Sequence, residues 1–562
     1  MAGVNFLILI TLIVALKTTK PMYRIVFSLL LIVSFIDTRA QYINSITVPD
    51  RTTGVIKDND DPSYRYAQSI KAMNLKKHLE VIASDSFQGR ETGQPGIDMA
   101  AEYITTHLRN KDIQSFFGDN EYKQAVSFSF SKWLDTDIYV KGERFRHLWD
   151  YIAFPTKNNN YPIIMDKEVV FLGYGIDDPK YSDYKGKKLD GKIIMINRGE
   201  PLKKDSTSVI TKSRTLSDWS NDDMEKKLMT AKAKGVKLVL IIENDIKKML
   251  EANRRKLQGS ALELGDKRNE MQPYPAHVYI SSTIAKAIIA DQEKKILDAR
   301  KKLAKAKPAA VSLSTDFIVN MSKGVTVLKG NNIIGYIEGK DKKDEYIIVS
   351  AHYDHLGMRG DDIFNGADDN GSGTVTLMSL AGAFQQAAIE GYRPDRSIIF
   401  LWVAGEEKGL LGSEYYTQNP IVPLENTMVN VNIDMVGRMD EKYIGNPDYI
   451  YVIGSDRLSS ALHSVNEDIN QNYSQLTLDY SYNDANDPNQ YYYRSDHYNF
   501  AKNGIPAIFF FSGTHPDYHR PSDTVEKIDF EKMEKVGRHI FHLIWELANR
   551  PERIEVDVKE SK

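Results

Sequence analysis

Glu345-Tyr346-Ile347-Ile348-Val349-Ser350-Ala351-His352-Tyr353-Asp354 is a mostly apolar run that ends in an imidazole and a carboxylate. A strand buried on both faces reads this way, because parallel sheets covered by helices leave no polar face to alternate with. Three further runs repeat the pattern. Ser397-Ile398-Ile399-Phe400-Leu401-Trp402-Val403-Ala404 ends at Gly405-Glu406-Glu407, and Met428-Val429-Asn430-Val431-Asn432-Ile433 runs into Asp434. Ala507-Ile508-Phe509-Phe510-Phe511 comes shortly before His519. Open α/β sheets bind ligands beyond the carboxyl ends of their strands. Four strands delivering His, Asp and Glu at that position point to one shared site on a mixed, mostly parallel central sheet flanked by helices.

The residue types point to metal-assisted hydrolysis. Five patches lie in order: Ala351 to His355, Gly366 to Asn370, Ala404 to Glu407, Asn432 to Met435 and Tyr518 to Thr524. Two imidazoles and three carboxylates, one of them shared, suit two zinc ions that each keep an open position. An HxD or a Glu-Glu pair occurs by chance, so the weight rests on the ordered set.

In these patches the chain resembles the di-zinc peptidases that include the bacterial leucyl-type aminopeptidases and glutamate carboxypeptidase, with glutaminyl cyclase a divergent relative. The resemblance covers roughly residues 70–130 and 325–550. It implies a zinc exopeptidase fold, two zinc ions per chain, and Asp368 bridging them. His352 and Asp434 would complete one site, Glu407 and His519 the other. Glu406 would be the general base acting on a water between the metals, and Asp354 would orient the His352 imidazole. It also makes the Asp368-Asp369 bond a candidate cis peptide. The implied activity is zinc-dependent removal of N-terminal residues from peptides. Carboxypeptidase or dipeptidase action is the alternative, with glutaminyl cyclisation or a binding protein on the same fold further off.

Competing readings attach to several residues. His355 reads as a hydrogen-bonded neighbour rather than a ligand. His515 competes with His519, which is preferred because Ser522-Asp523-Thr524 follows it as in the family, with Asp523 expected to support its imidazole. Ser495-Asp496-His497 resembles a triad fragment, but no Gly-x-Ser-x-Gly elbow accompanies it, so a structural or pocket role is expected. Tyr480 to Arg494 is rich in tyrosine and is expected as a loop beside the pocket or as aromatic packing. His78, His107, His463, His539 and His542 fall in helix-like stretches and read as surface or packing residues.

At 562 residues, 42% hydrophobic and 27% charged, the composition is that of an ordinary globular protein. A net charge of −3 and the lack of a basic stripe argue against nucleic acid as a partner. Peptides are the expected partners. The absence of cysteine excludes a thiol nucleophile, Cys-ligated zinc and a disulfide scaffold.

Met22-Tyr23-Arg24, an apolar core from Ile25 to Ile36 and the small Ala40 describe a secretory signal peptide cleaved before Gln41. A second apolar run, Val4 to Leu16, precedes it, and Met22 is the expected true start. Neither run has the about 20 apolar residues of a comfortable span, so no stable membrane span is expected after processing. A secreted or periplasmic, bacterial-envelope location follows.

The remaining organisation reads as a signal segment over 1–40, an extended lead-in over 41–70, a peptidase domain over 71–135 and 319–552, and a polar tail over 553–562. Residues 136–318 interrupt the peptidase pattern with strand-like Glu168 to Gly175, Gly191 to Asn197 and Lys237 to Ile242, and with a helix over Met224 to Lys234. This segment looks like an inserted, β-rich protease-associated domain. The stretch Ser84 to Gly93 resembles the Gly-Arg, Thr-Gly segment near the start of mature family members.

Overall fold

The computed structural model describes residues 60–118, 121–257 and 262–558, and the signal segment lies outside them. A 15-stranded mixed sheet runs through these residues, beside two two-stranded ones. In spatial order the strands along its main path are Thr477–Asp479, Tyr449–Ile453, Ala507–Phe511, Thr427–Ile433, Lys342–His352, Arg396–Val403, Val311–Ile337, Tyr161–Phe171, Ile193–Asn197, Leu238–Ile242, Ala276–Ile280 and Tyr151–Ile152.

The part that carries the site is parallel. Lys342–His352 lies between Arg396–Val403 and Thr427–Ile433 and runs with both, and Thr427–Ile433 runs with Ala507–Phe511. The register aligns His352 with Val403, Ser350 with Asn432 and Ile433 with Phe510. The four strands therefore end side by side, and the residues that follow them converge on one edge of the sheet.

Both faces of this region are covered, which explains the unbroken apolar runs. Ile347, Val349, Ile398, Phe400 and Trp402 share a core with Val375, Leu377 and Phe384 of the helix Gly373–Ile389 and with Ile540, Phe541 and Ile544 of the helix Phe530–Asn549. The rings of Phe384 and Phe541 stack at 4.3 Å. The alternate residues Ile348, Ile399, Leu401 and Val403 face the other way, onto Tyr416 and Phe500. Each buried aliphatic side chain contributes on the order of 1.5–3 kcal/mol, so both faces specify the register. The helix Phe530–Asn549 starts at Asp529, whose carboxylate accepts from the Lys532 amide at 2.9 Å as an N-cap.

Residues 138–321 hold hydrophobic clusters of their own, one around Ile138, Val169, Val278 and Val319 and another around Ile194, Leu228 and Val239. This segment mixes the parallel strands from Tyr161 to Ile280 with helices such as Glu225–Ala233, Ser282–Ile289 and Glu293–Leu303. It joins the rest through a long antiparallel ribbon. Lys123–Val140 pairs with Val311–Ile337 from Lys123 opposite Ile333 to Val140 opposite Phe317, with a bulge at Trp133–Asp135. The expected edges of the insert, at 135/136 and 318/319, both fall inside this ribbon. Leu262–Leu264 leans back across it, pairing with Phe128 to Phe130 and burying Leu262 in the core beneath the site. Among the described residues no helix is long and apolar enough to cross a membrane.

Candidate metal centre

His352 is the last residue of its strand and is almost fully buried. Its Nδ1 lies 3.1 Å from the Asp354 carbonyl oxygen. Its Nε2 points into a group of carboxylates, with Asp434 Oδ1 at 3.3 Å, Asp369 Oδ1 at 3.5 Å and Glu406 Oε2 at 3.8 Å. A second group adjoins the first. His519 Nε2 lies 3.0 Å from Asp369 Oδ2 and 3.3 Å from Glu407 Oε2, while His355 Nδ1 lies 2.8 Å from Glu407 Oε1. Asp369 thus presents one oxygen to each group.

The family resemblance implies Asp368 at that shared position, and the geometry puts Asp369 there instead. Asp368 turns away: its Oδ1 accepts from the Gly437 amide at 2.7 Å, and its Oδ2 faces His515 Nε2 at 3.4 Å. The two displaced candidates, Asp368 and His515, face each other. The cis peptide shifts likewise, to Asp369-Asn370. The cause is the local turn. Asp523 accepts from the Asp368 and Asp369 amides at 3.0 and 3.2 Å, rather than supporting His519 as expected. Asn370 Oδ1 accepts from the Gly373 and Met435 amides. The turn is pinned from both sides, with only the second of its adjacent acids facing the site.

His352, Glu406, Glu407, Asp434 and His519 do come together. Glu406 and Glu407 follow their strand through Gly405, whose φ of 78° is a left-handed conformation suited to glycine. The Asp354 carboxylate sits 3.8 Å from His352 Nδ1. It accepts from Thr92 Oγ1 at 2.8 Å and from the Glu406 amide at 3.2 Å, so it positions the Glu406 backbone as well as standing behind the imidazole.

The outer supports come from far away in sequence. Ser495 Oγ donates to Asp434 Oδ2 at 2.8 Å and accepts from Asn432 Nδ2 at 2.8 Å. Its hydroxyl is thereby occupied, and Ser495-Asp496-His497 is no nucleophilic triad. Asp496 accepts from Ser413, and the buried His497 stacks on Phe509 and is pushed down to about 3 by burial. Arg90, fully buried, donates to the Tyr353, Ile82, Asn365 and Gly366 carbonyls and ties the 84–93 segment to the loops around the site. Thr92 and Arg90 carry no role in the sequence beyond the Gly-Arg, Thr-Gly likeness, whereas the structural role expected of the Ser495 trio is seen at Ser495 as its bond to Asp434.

The electrostatics call for cations. Burial alone would lower the His352 pKa, yet Asp434, Glu406 and Asp369 outweigh it and hold the imidazole well above its ordinary value. The same contest, won by Asp369 and Glu407, pushes His519 up to about 10. Burial, with Glu407 and Asp434 adding to it against His352, holds the Glu406 carboxyl well above the usual carboxylate range. Glu407 goes the other way, because contacts with His355 and His519 overcome its burial. His352 Nε2 and Asp434 Oδ1 are buried without a hydrogen-bond partner. Buried polar atoms of this kind call for a partner, and imidazole with carboxylates is a donor set that zinc accepts. The residues fit the metal.

The centre opens onto a pocket lined by Asp369, Glu406, Asp434, Met435, Tyr491, Arg494, Phe509, Phe511, Thr514 and Tyr518. The tyrosine-rich loop thus serves both expectations: Tyr491 walls the pocket, and Tyr492 packs in the core behind it.

Residues 332–544 match the model of Peptidase family M28. The chain is 31% identical over 226 residues to the "Probable leucine aminopeptidase" of Arthroderma otae, a match covering 39% of the chain and 58% of that protein. It is 29% identical over 254 residues to "Aminopeptidase YwaD" of Bacillus subtilis, covering 43% of the chain and 50% of the relative. The chain therefore spans little more than half the length of these relatives. Among solved structures, the aminopeptidase from Aneurinibacillus sp. strain AM-1 aligns over 88% of this chain and 98% of its own, with 20% identity and a TM-score of 0.47.

Proposed function

We propose that the chain is a two-zinc aminopeptidase that removes N-terminal residues from peptides. The observation that carries this reading is Asp369, which offers one oxygen to the group of His352 and Asp434 and the other to that of Glu407 and His519. Those five residues would hold the two ions. His355, fully buried against Glu407, serves as that ligand's support. Zinc bound there would polarise the scissile carbonyl and ease ionisation of the attacking water. The names of the aminopeptidase relatives support the substrate class.

The chain's own residues do the rest. Glu406 lines the pocket and stands farther from His352 Nε2 than Asp434 and Asp369 do, which leaves its carboxylate for proton transfer. It takes a proton as the water oxygen attacks the carbonyl carbon. It returns that proton to the amine nitrogen as the C–N bond breaks. Asp354 fixes the Glu406 amide, and Ser495 fixes Asp434. Residues 22–40 serve as a cleaved export signal to a bacterial envelope or beyond, and residues 136–318 form an inserted domain.

Leucine p-nitroanilide hydrolysis tests the activity. Dialysis against 1,10-phenanthroline should abolish turnover and zinc should restore it, with no labelling by a fluorophosphonate. Turnover that survives the chelator, or a labelled serine, would overturn the proposal.

A further inference from the structure

Arg494 is the one cation among the pocket-lining residues, on a surface that also carries Asp369, Glu406 and Asp434. It is exposed, and among the described residues no carboxylate pairs with it. Its Nη2 reaches the Tyr518 hydroxyl at 3.5 Å, and its guanidinium lies 4.8 Å from the Tyr491 ring centroid. Stacking holds the plane of an arginine while leaving its outward N–H donors free. Tyr518 stacks in turn on His519 at 3.9 Å, so the arginine is tied to the centre through one ring.

With Asp369 and Asp434 engaged by the two ions, Arg494 is the one basic side chain lining the pocket whose donors face an incoming substrate group. We infer that Arg494 recognises a carboxylate of the substrate through its planar fork. The preferred substrates then carry a carboxylate close to the scissile bond. It is either the side chain of an acidic N-terminal residue or the C-terminal carboxylate of a very short peptide. The inference rests on the aminopeptidase reading and deepens it by naming the specificity element.

Two substrate pairs separate the sources. Glutamyl against glutaminyl p-nitroanilide reports a side-chain carboxylate, and Leu-Leu against Leu-Leu-amide reports a terminal one. Arg494→Gln should lower the charged-to-neutral ratio of kcat/KM at least about tenfold in one pair, mainly through KM, the size expected for a charge-assisted contact at a partly open site. Arg494→Lys should recover only part, because it keeps the charge and loses the fork. Calorimetric titration with free glutamate and glutamine, which carry no scissile bond, should show the same change in preference where the side chain is the source, and unchanged melting temperatures would exclude a folding effect. Both ratios unchanged in Arg494→Gln, or equal losses on charged and neutral members, would overturn the inference while wild-type turnover of leucine p-nitroanilide keeps the aminopeptidase reading standing. No turnover of any substrate by the zinc-loaded wild type would overturn both.

Discussion

Replacing Glu406 with Gln isolates proton transfer from everything else the site does. The glutamine keeps the size of the side chain, and the backbone amide that Asp354 accepts from is unaltered. The nearest imidazole nitrogen, His352 Nε2, stands 3.8 Å from Glu406, so the substitution leaves the contacts of His352 with Asp434 and Asp369 in place. The amide cannot take the proton of the attacking water. Losing a positioned general base costs about 10²–10⁴-fold in rate, equivalent to about 2.7–5.5 kcal/mol of barrier. Steady-state kinetics on leucine p-nitroanilide should show that loss in kcat with little change in KM. Elemental analysis of the same sample should show wild-type zinc. A variant within a few-fold of wild type refutes the base assignment. A variant that loses zinc, while Glu407→Gln keeps it, shows the two roles reversed.

The adjacent acids of the turn give the sharpest comparison. Asp369→Asn should lower zinc affinity by more than the about 10–100-fold typical of an outer partner, whereas Asp368→Asn should retain both ions because an amide oxygen still accepts from the Gly437 amide; the reverse order in a zinc titration would return the bridge to Asp368. Ser495→Ala should weaken zinc binding about 10–100-fold by freeing Asp434, and unaltered affinity would show that Asn432 and the fold suffice. Stability should fall in acid through His539, which burial pushes down to about 3. Its folded pKa lies below the unfolded value, so its contribution is complete above about pH 6.5 and falls by about 1.4 kcal/mol per unit as the pH drops toward 3. Urea titrations between pH 6 and 4 should therefore show a shallower slope for His539→Gln than for wild type, and equal slopes would contradict the assignment.

Four polar residues near the centre are legible because each ends or follows a strand whose apolar run announces itself. His352 and Asp434 sit where such runs stop, and Glu406 and Glu407 lie just beyond another. The choice between Asp368 and Asp369 was not readable. It depends on which member of an adjacent pair a pinned turn aims inward, and Asp523 does the pinning from 154 residues away. His519 lies in a loop at a φ of 57°, so no periodicity placed it, and the family likeness around Ser522-Asp523-Thr524 did. Thr92, Arg90 and Ser495 act through contacts across 262, 263 and 61 positions, for which a single sequence carries no local pattern. The strand runs at Ile193 and Leu238 were legible, but the ribbon that carries both edges of the expected insert was not. Trp133, Lys323 and their neighbours alternate too weakly to announce strands as long as Lys123–Val140 and Val311–Ile337.

Zinc-edge anomalous diffraction from crystals of the full chain grown with zinc tests the centre most directly. The account predicts two peaks per chain, one within bonding distance of His352 Nε2 and Asp434 and the other of Glu407 and His519 Nε2. Asp369 should contact both, with Glu406 bonded to neither. A single peak, or an ion held by Asp368 or His515, would contradict it.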